Sequence, residues 1–378
     1  MKRYPVTIND YHPGIIGKIT RKNIRITDRK NYIFISDNLD IPLGYKAVIV
    51  KENNNYNSVK KTIIIPLDPE CLSELCDGDI ISLTGDGYMN IIYYKNSDHN
   101  VILATERCNA SCIMCPQPKV SDEEDRMGLN LKLISLYDKD TKSITITGGE
   151  PTILGDNLLI LLNELKRKNI NTTVFLLTNG VKLADINYVE KIAKIRHPNF
   201  FVDVPLYSDI DSIHNFITGS NGFYKTIKGL YNLALYEQRI GLRVVISKYN
   251  YERLYNIAEF IYHNFPFVIH VAFMQMEIMG LAKENIDNLW VDPYDYQFEI
   301  EKAVEYLFFR DINVSIYNST LCLLPKNIWK FTKKSISSWK NIYLDECNGC
   351  EVKDQCGGFF DSSIDKKSNY IIPIKKIF

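Results

Sequence analysis

The stretch Cys108-Asn-Ala-Ser-Cys112-Ile-Met-Cys115 follows directly on the apolar run Val101-Ile-Leu-Ala104. Its three cysteines stand in a CxxxCxxC spacing. Three thiolates on one short loop can hold three corners of a four-iron cluster and leave the fourth iron without a protein ligand. An open iron invites a small-molecule ligand. A zinc knuckle is the competing reading of the same residues, but structural zinc takes four ligands and no fourth lies nearby in the sequence.

The rest of the chain fits an intracellular metalloprotein. At 378 residues and 46% hydrophobic content it is long enough for one large α/β domain with appendages. Lys plus Arg and Asp plus Glu both number 45, so no net field favours nucleic acid or an anionic membrane as partner. Residues 1–10 lack the apolar region of a signal peptide, and no run approaches the roughly 18 apolar residues of a membrane span. The expected location is the cytoplasm, where thiols stay reduced and the nine cysteines are better explained by metal binding than by disulfides. Four of them lie late, at Cys322, Cys347, Cys350 and Cys356; Cys71 and Cys76 read as small buried hydrophobes.

Upstream of the cysteine loop, residues 1–97 read as a small β-rich domain. Tyr32-Ile-Phe-Ile35, Ala47-Val-Ile-Val50, Thr62-Ile-Ile-Ile65, Ile80-Ile-Ser-Leu83 and Met89-Asn-Ile-Ile-Tyr-Tyr94 are short apolar runs separated by turn residues. Gly85-Asp86-Gly87 is a hairpin signal, and Asn53-Asn-Asn55 a solvated tip. From 98 to 310 the pattern becomes βα units, with strands predicted at 101–105, 143–147, 173–178, 201–206, 242–247 and 268–273. Leu158, Leu159, Leu162 and Leu165 recur at helical spacing between them, as do Phe223, Ile227, Leu230 and Ala234, then Leu254, Ile257 and Ile261. Six units fall short of the eight of a TIM barrel, so the expected α/β architecture is an open, partial (β/α)6 barrel. Asp292-Pro293 reads as the start of a further helix, leading to a strand at 313–317 and a Cys-rich region spanning 311–378.

In a parallel barrel the C-terminal strand ends carry the chemistry, and the cysteine loop occupies the first of them. The second predicted strand ends in Gly148-Gly149-Glu150-Pro151, two glycines that let a ligand approach the backbone and a carboxylate that can pair with an ammonium group. CxxxCxxC on one strand end and Gly-Gly-Glu-Pro on the next resemble the radical SAM superfamily. The resemblance implies that Cys108, Cys112 and Cys115 bind a [4Fe-4S] cluster whose open iron is chelated by S-adenosylmethionine, with Gly148, Gly149 and Glu150 at the methionyl amino group. It also makes Asn179, Ser208 and Ser247, on the third to fifth strand ends, candidates for the ribose and carboxylate. Ordinary loop capping is the alternative for each. One departure is Met114, where the family usually has an aromatic residue; a polarizable methionine can cover the adenine side.

The tail Cys347-Asn-Gly-Cys350-Glu-Val-Lys-Asp-Gln-Cys356, with Cys322 upstream, offers four thiolates. It resembles the auxiliary-cluster (twitch or SPASM-like) region of peptide-modifying radical SAM enzymes, in a form with ligands for one second [4Fe-4S] cluster; zinc on the same thiolates is the alternative. Ala104 to Pro118, Val204-Pro-Leu-Tyr-Ser-Asp209, Lys334-Ser-Ile-Ser-Ser-Trp-Lys340 and Cys350 to Phe360 resemble, more narrowly, the His-Xaa-Ser system radical SAM maturases of the type labelled C. That resemblance implies a ribosomally made precursor peptide or protein with His-Xaa-Ser repeats as substrate, a second radical SAM maturase as partner and an external electron donor. The six histidines show no ligand spacing, and His214 reads as a residue at a helix start. The implied activity is reductive cleavage of S-adenosylmethionine to a 5′-deoxyadenosyl radical that modifies the peptide. A noncatalytic iron–sulfur subunit that serves a partner maturase is the alternative.

Overall fold

The computed structural model describes residues 2–6, 14–36, 42–45, 47–51, 63–85, 87–120, 125–334 and 341–375. The Asn53-Asn-Asn55 tip, Asp86 of the hairpin turn and residues 335–340 lie outside them.

The N-terminal part forms a seven-stranded sheet. Its strands are β1 (Arg3–Pro5), β2 (Ile15–Thr20), β3 (Tyr32–Ser36), β4 (Ala47–Lys51), β5 (Ile63–Leu67), β6 (Ile80–Thr84) and β7 (Tyr88–Tyr93), in the order β1-β7-β6-β2-β3-β4-β5. The glycine-rich turn does join an antiparallel pair, β6 and β7. Two strands were not legible as apolar runs: β1 is short, and Ile15-Ile-Gly-Lys-Ile-Thr20 is interrupted by glycine and lysine. One side of this sheet has its own core around Ile19, Ile33, Ile49, Leu83 and Met89. Ile80 and Tyr93 belong instead to the main core. Lys18 bridges to Asp138 at 2.7 Å and the Tyr93 hydroxyl meets Thr141 at 3.0 Å. Asp138 and Thr141 lead into the next sheet at the end opposite its chemistry, so the β-domain buttresses that end.

The main sheet has eight strands, all paired in parallel and in chain order. They are β8 (His99–Thr105), β9 (Ser143–Gly148), β10 (Thr173–Leu177), β11 (Phe200–Pro205), β12 (Arg239–Ile246), β13 (His270–Gln275), β14 (Asn313–Tyr317) and β15 (Thr332–Lys333). The order runs from β8 to β15 without closing, so the barrel is open as expected. β14 and β15, beyond residue 310, continue the same sheet in register with β13. The connecting helices cover the outside: α1 (Asp156–Lys168) buries Leu158, Leu161, Leu162 and Leu165, and α2 (Leu254–Asn264) buries Leu254, Ile257 and Ile261. They pack on alternate strand residues, Ile144 and Ile146, Val174 and Leu176, Val202 and Val204, Leu242 and Val244, all fully buried. The residues between them face the barrel interior.

Asp292 does not start the helix expected there. Its carboxylate accepts from the Tyr294 amide at 3.0 Å to close a turn, and the helix begins at Gln297. After β15 the chain forms short 3-10 turns and a two-residue antiparallel ladder, β16 (Asn341–Ile342) with β17 (Phe359–Phe360). Among the described residues no helix is long and apolar enough to cross a membrane.

Candidate functional site

A cavity of about 510 Å³ opens at the C-terminal ends of the main sheet. Residues from the loop after β8 through to the residue after β14 line it, which requires the sheet to curl around it. Cys108, Cys112, Met114 and Cys115 form one wall, with Gly148, Gly149, Glu150 and Asn179 beside them. The sequence-predicted residues of the first three strand ends are therefore brought together.

Hydrogen bonds on two sides fix the cysteine loop. The Ser111 and Ile113 amides donate to the carbonyls of Thr218 and Ile217, each at 3.0 Å, at the end of the helix that follows β11. From the segment after β13, the Leu281 amide donates to Cys115 O at 2.9 Å and Asn285 Nδ2 to Ile113 O at 2.9 Å. Burial pushes all three thiols up, Cys112 to about 12, with Cys115 and Cys108 adding like charge. Bound metal would have to displace these protons. Met114 is buried against Ile217, Met276, Ala282 and Leu289 and presents an apolar surface to the cavity.

The two glycines act differently from expectation. A Cβ on Gly148 would lie 2.1 Å from the Thr105 carbonyl oxygen, and one on Gly149 would lie 2.2 Å from that of Arg107. Their missing side chains thus admit the neighbouring backbone, and the Gly149 and Glu150 amides donate to Thr105 O and Arg107 O at 2.7 and 2.9 Å. This contact locks the second strand end against the first.

Glu150 is only 1% exposed, and its carboxylate is held by four donors. Oε1 accepts from the Thr152 amide and hydroxyl at 3.0 and 2.6 Å and from the Thr178 hydroxyl at 2.6 Å; Oε2 accepts from the Asn179 amide at 2.6 Å. Burial raises its pKa while these bonds oppose the rise. All four donors are neutral, so they fix the carboxylate in place without supplying a counter-charge. A cationic ammonium fits that deficit. The Asn179 side chain donates to Asn109 Oδ1 at 2.7 Å, tying the third strand end to the cysteine loop.

Ser208 and Ser247 do not line the cavity, which corrects their assignment. Both are fully buried in local turns: Ser208 Oγ accepts from the Ile210 amide at 3.1 Å, and the Ser247 amide and hydroxyl donate to Asn250 Oδ1 at 2.8 and 3.3 Å. Their short hydroxyls are spent on capping. His214 lies closer to the chemistry than its place at a helix start implied. It is 2% exposed at the cavity, accepts from the Tyr207 amide at 3.3 Å, and burial lowers its pKa to about 4, so its imidazole is neutral. Asp203 and Arg243 also line the cavity, on inward positions of central strands. The signal for Asp203 was the charge at the centre of the alternating Phe201-Val-Asp-Val-Pro205.

In the tail, Cys322, Cys347, Cys350 and Cys356 line a second, separate cavity together with residues 371–374. It has about 20 Å³, room for roughly one water, so a cluster there requires the side chains to swing apart. Burial raises the Cys322 and Cys347 thiols. Among the described residues no three His, Cys, Asp or Glu side chains are gathered to hold one metal ion, so a single ion at either place would require the thiols to converge.

The family model of the radical SAM superfamily matches residues 102–261. That span runs from β8 to the helix after β12. A probable GTP 3',8-cyclase of Saccharolobus islandicus is 26% identical over 221 residues, 55% of this chain and 68% of that protein. A tungsten-containing aldehyde ferredoxin oxidoreductase cofactor-modifying protein of Pyrococcus furiosus is 28% identical over 215 residues, 54% of this chain and 57% of that protein. The solved structure of native anSMEcpe with bound AdoMet and Kp18Cys peptide superposes with a TM-score of 0.52 at 15% identity, over 72% of this chain and 91% of that one. That likeness shows that the two chains share a fold over this span.

Proposed function

We propose that this chain is a radical SAM enzyme acting on a ribosomally made peptide, with Cys108, Cys112 and Cys115 holding a [4Fe-4S] cluster. The observation that carries the reading is the meeting of three thiols and the Glu150 carboxylate, held only by neutral donors, in one cavity. When bound, the cluster and S-adenosylmethionine supply reductive cleavage to methionine and a 5′-deoxyadenosyl radical that abstracts hydrogen. The protein's part is placement. Glu150 supplies counter-charge to the methionyl ammonium, the Gly148-Gly149 backbone and Asn179 set its distance from the thiols, and Met114 with its apolar neighbours keeps water from the adenine side.

The substrate class follows the tail, whose four thiols match the auxiliary region of peptide-modifying enzymes; a second [4Fe-4S] cluster there is our assignment, with zinc as the competing occupant. The narrower resemblance adds His-Xaa-Ser repeats in the substrate, a second maturase as partner and an external donor for the electron. The names of the curated relatives favour a second reading, a GTP cyclase-like activity, although their matches span 57 to 68% of those proteins. Anaerobic reconstitution with dithionite and S-adenosylmethionine tests these readings. The isolated chain should release 5′-deoxyadenosine, and the rate should rise with a His-Xaa-Ser peptide but not with GTP. Stimulation by GTP alone would transfer the assignment to the second reading. Turnover that appears only when a partner's cluster is supplied would make the chain a noncatalytic subunit.

A further inference from the structure

The cavity holds a polar pair to which the foregoing reading gives no task. Asp203 lies opposite Gly241 in the register of β11 and β12, and Arg243 opposite Pro205, so the guanidinium starts two residues nearer the open end than the carboxylate. Gly241 makes room for the carboxylate itself: a Cβ there would stand 2.2 Å from Asp203 Oδ1. Charges on the inner face of a sheet cost several kcal/mol unless they are paired or hydrogen-bonded. Glu150 meets that demand with its four donors. Among the described residues no hydrogen bond or ion pair serves the Asp203 carboxylate or the Arg243 guanidinium, either with each other or with a third group. Burial raises the Asp203 pKa, and the Arg243 cation acts against it only through space. An acceptor-only group and a donor-only group thus share one part of the cavity, both unsatisfied.

We propose that Asp203 and Arg243 receive a peptide amide of the substrate, its N–H donated to the carboxylate and its C=O accepting from the guanidinium. A carboxylate or phosphate ligand would be repelled by Asp203 and an ammonium by Arg243, whereas a neutral group that fixes one donor beside one acceptor satisfies both. The inference rests on the reading of the cavity as an S-adenosylmethionine site, because Glu150 and the cysteine wall are then taken by the cofactor. The lactam edge of guanine carries the same donor and acceptor, so the test must separate the two sources.

The test uses the anaerobically reconstituted full chain. Equilibrium dialysis gives the affinity for S-adenosylmethionine, and titration in its presence gives the affinity for two probes, N-acetyl-triglycine methylamide and GTP. The wild type should bind the blocked peptide and not GTP. Asp203→Asn and Arg243→Gln should each weaken peptide binding by about tenfold or more, the effect of removing one charged hydrogen-bond partner, and hold cofactor affinity within about twofold. Arg243→Gln, nearer the open end, decides the matter should Asp203→Asn not fold. A tenfold loss of cofactor affinity in Arg243→Gln would give the pair to the cofactor and overturn the proposal. So would pair-dependent binding of GTP, absence of peptide binding by the wild type, or variants that leave peptide binding unchanged. A wild type that binds no S-adenosylmethionine while Glu150→Gln behaves identically would overturn the cofactor reading itself, a distinct result.

Discussion

The two cysteine regions are held by different kinds of structure. The loop carrying Cys108, Cys112 and Cys115 is bonded to Thr218 and Ile217 on one side and to Leu281 and Asn285 on the other, all anchored on the large parallel sheet. In the tail, Cys322 and Cys347 sit in short 3-10 turns, Leu321–Leu323 and Asp345–Cys347, Cys356 directly follows a third, Lys353–Gln355, and a ladder of two residues per strand lies beside them. The barrel therefore sets the first site before any metal arrives, whereas the second owes its order to what the thiols bind. Replacing one cysteine in each region should break this comparison most sharply. Cys112→Ala should abolish 5′-deoxyadenosine release and lower iron by about four per chain, with thermal unfolding little changed. Cys350→Ala should also lower iron by about four, or remove zinc instead, but with increased proteolysis between 341 and 375. Equal protease resistance of the two variants would show that the tail is as preformed as the barrel.

The next test concerns the contact that aligns the first two strand ends. Gly149→Ala places a Cβ 2.2 Å from Arg107 O and 2.6 Å from Arg107 C, both backbone atoms that cannot rotate away. The strand ends must part, breaking the amide bonds to Thr105 O and Arg107 O and moving Glu150. We expect a loss of about 3 kcal/mol in stability and at least tenfold in S-adenosylmethionine affinity, read by denaturant unfolding and equilibrium dialysis. Wild-type affinity in this variant would remove Glu150 from the cofactor's neighbourhood.

This contact also marks where sequence reading stopped. The first six strands of the main sheet, their parallel pairing and the neighbouring places of the cysteine loop and Gly148-Gly149-Glu150 followed from local patterns, because apolar runs and turn residues report on their own segments. What Gly149 touches did not, since its partner, Arg107, belongs to another strand end. Ser208 and Ser247 show the converse error: small polar residues at strand ends have the right address, but their hydroxyls are consumed by Ile210 and Asn250 within two or three residues. Thr152 and Thr178, which hold Glu150, carry no motif of their own. Asp203 was visible as a charge in an apolar strand, yet only the register reveals that Gly241 makes room for it.

Acid should separate the two regions further. No histidine lies between residues 311 and 378, whereas the barrel buries His214 as a neutral acceptor for the Tyr207 amide. Its pKa falls from the usual 6.5 to about 4. Between those values the unfolded chain takes up a proton that the folded chain refuses, so this contribution is complete above pH 6.5 and is lost as the pH falls toward 4. From about pH 7.5 to about pH 4.5 the wild type should lose roughly 2 to 3 kcal/mol more stability than His214→Gln, which keeps an acceptor for the Tyr207 amide. Parallel stability–pH curves for the two proteins would show that the imidazole is not excluded from protonation.

The smallest expected effect falls in the tail and sharpens the comparison from its weak side. Gly349, between Cys347 and Cys350, has φ of +78°, and a Cβ there would meet nothing within 4 Å. Gly349→Ala thus costs only the left-handed backbone strain, about 1 kcal/mol, against the steric conflict at Gly149. Because the tail's order is tied to its thiols, that strain should surface as faster hydrogen exchange in residues 345–356 of the metal-free chain and shrink once the site is loaded. The barrel strands should exchange as in the wild type in both states. Equal exchange with and without metal would mean that the turns around Cys347 and Cys350 are held by the protein alone, and the contrast between the two cysteine regions would reduce to one of size.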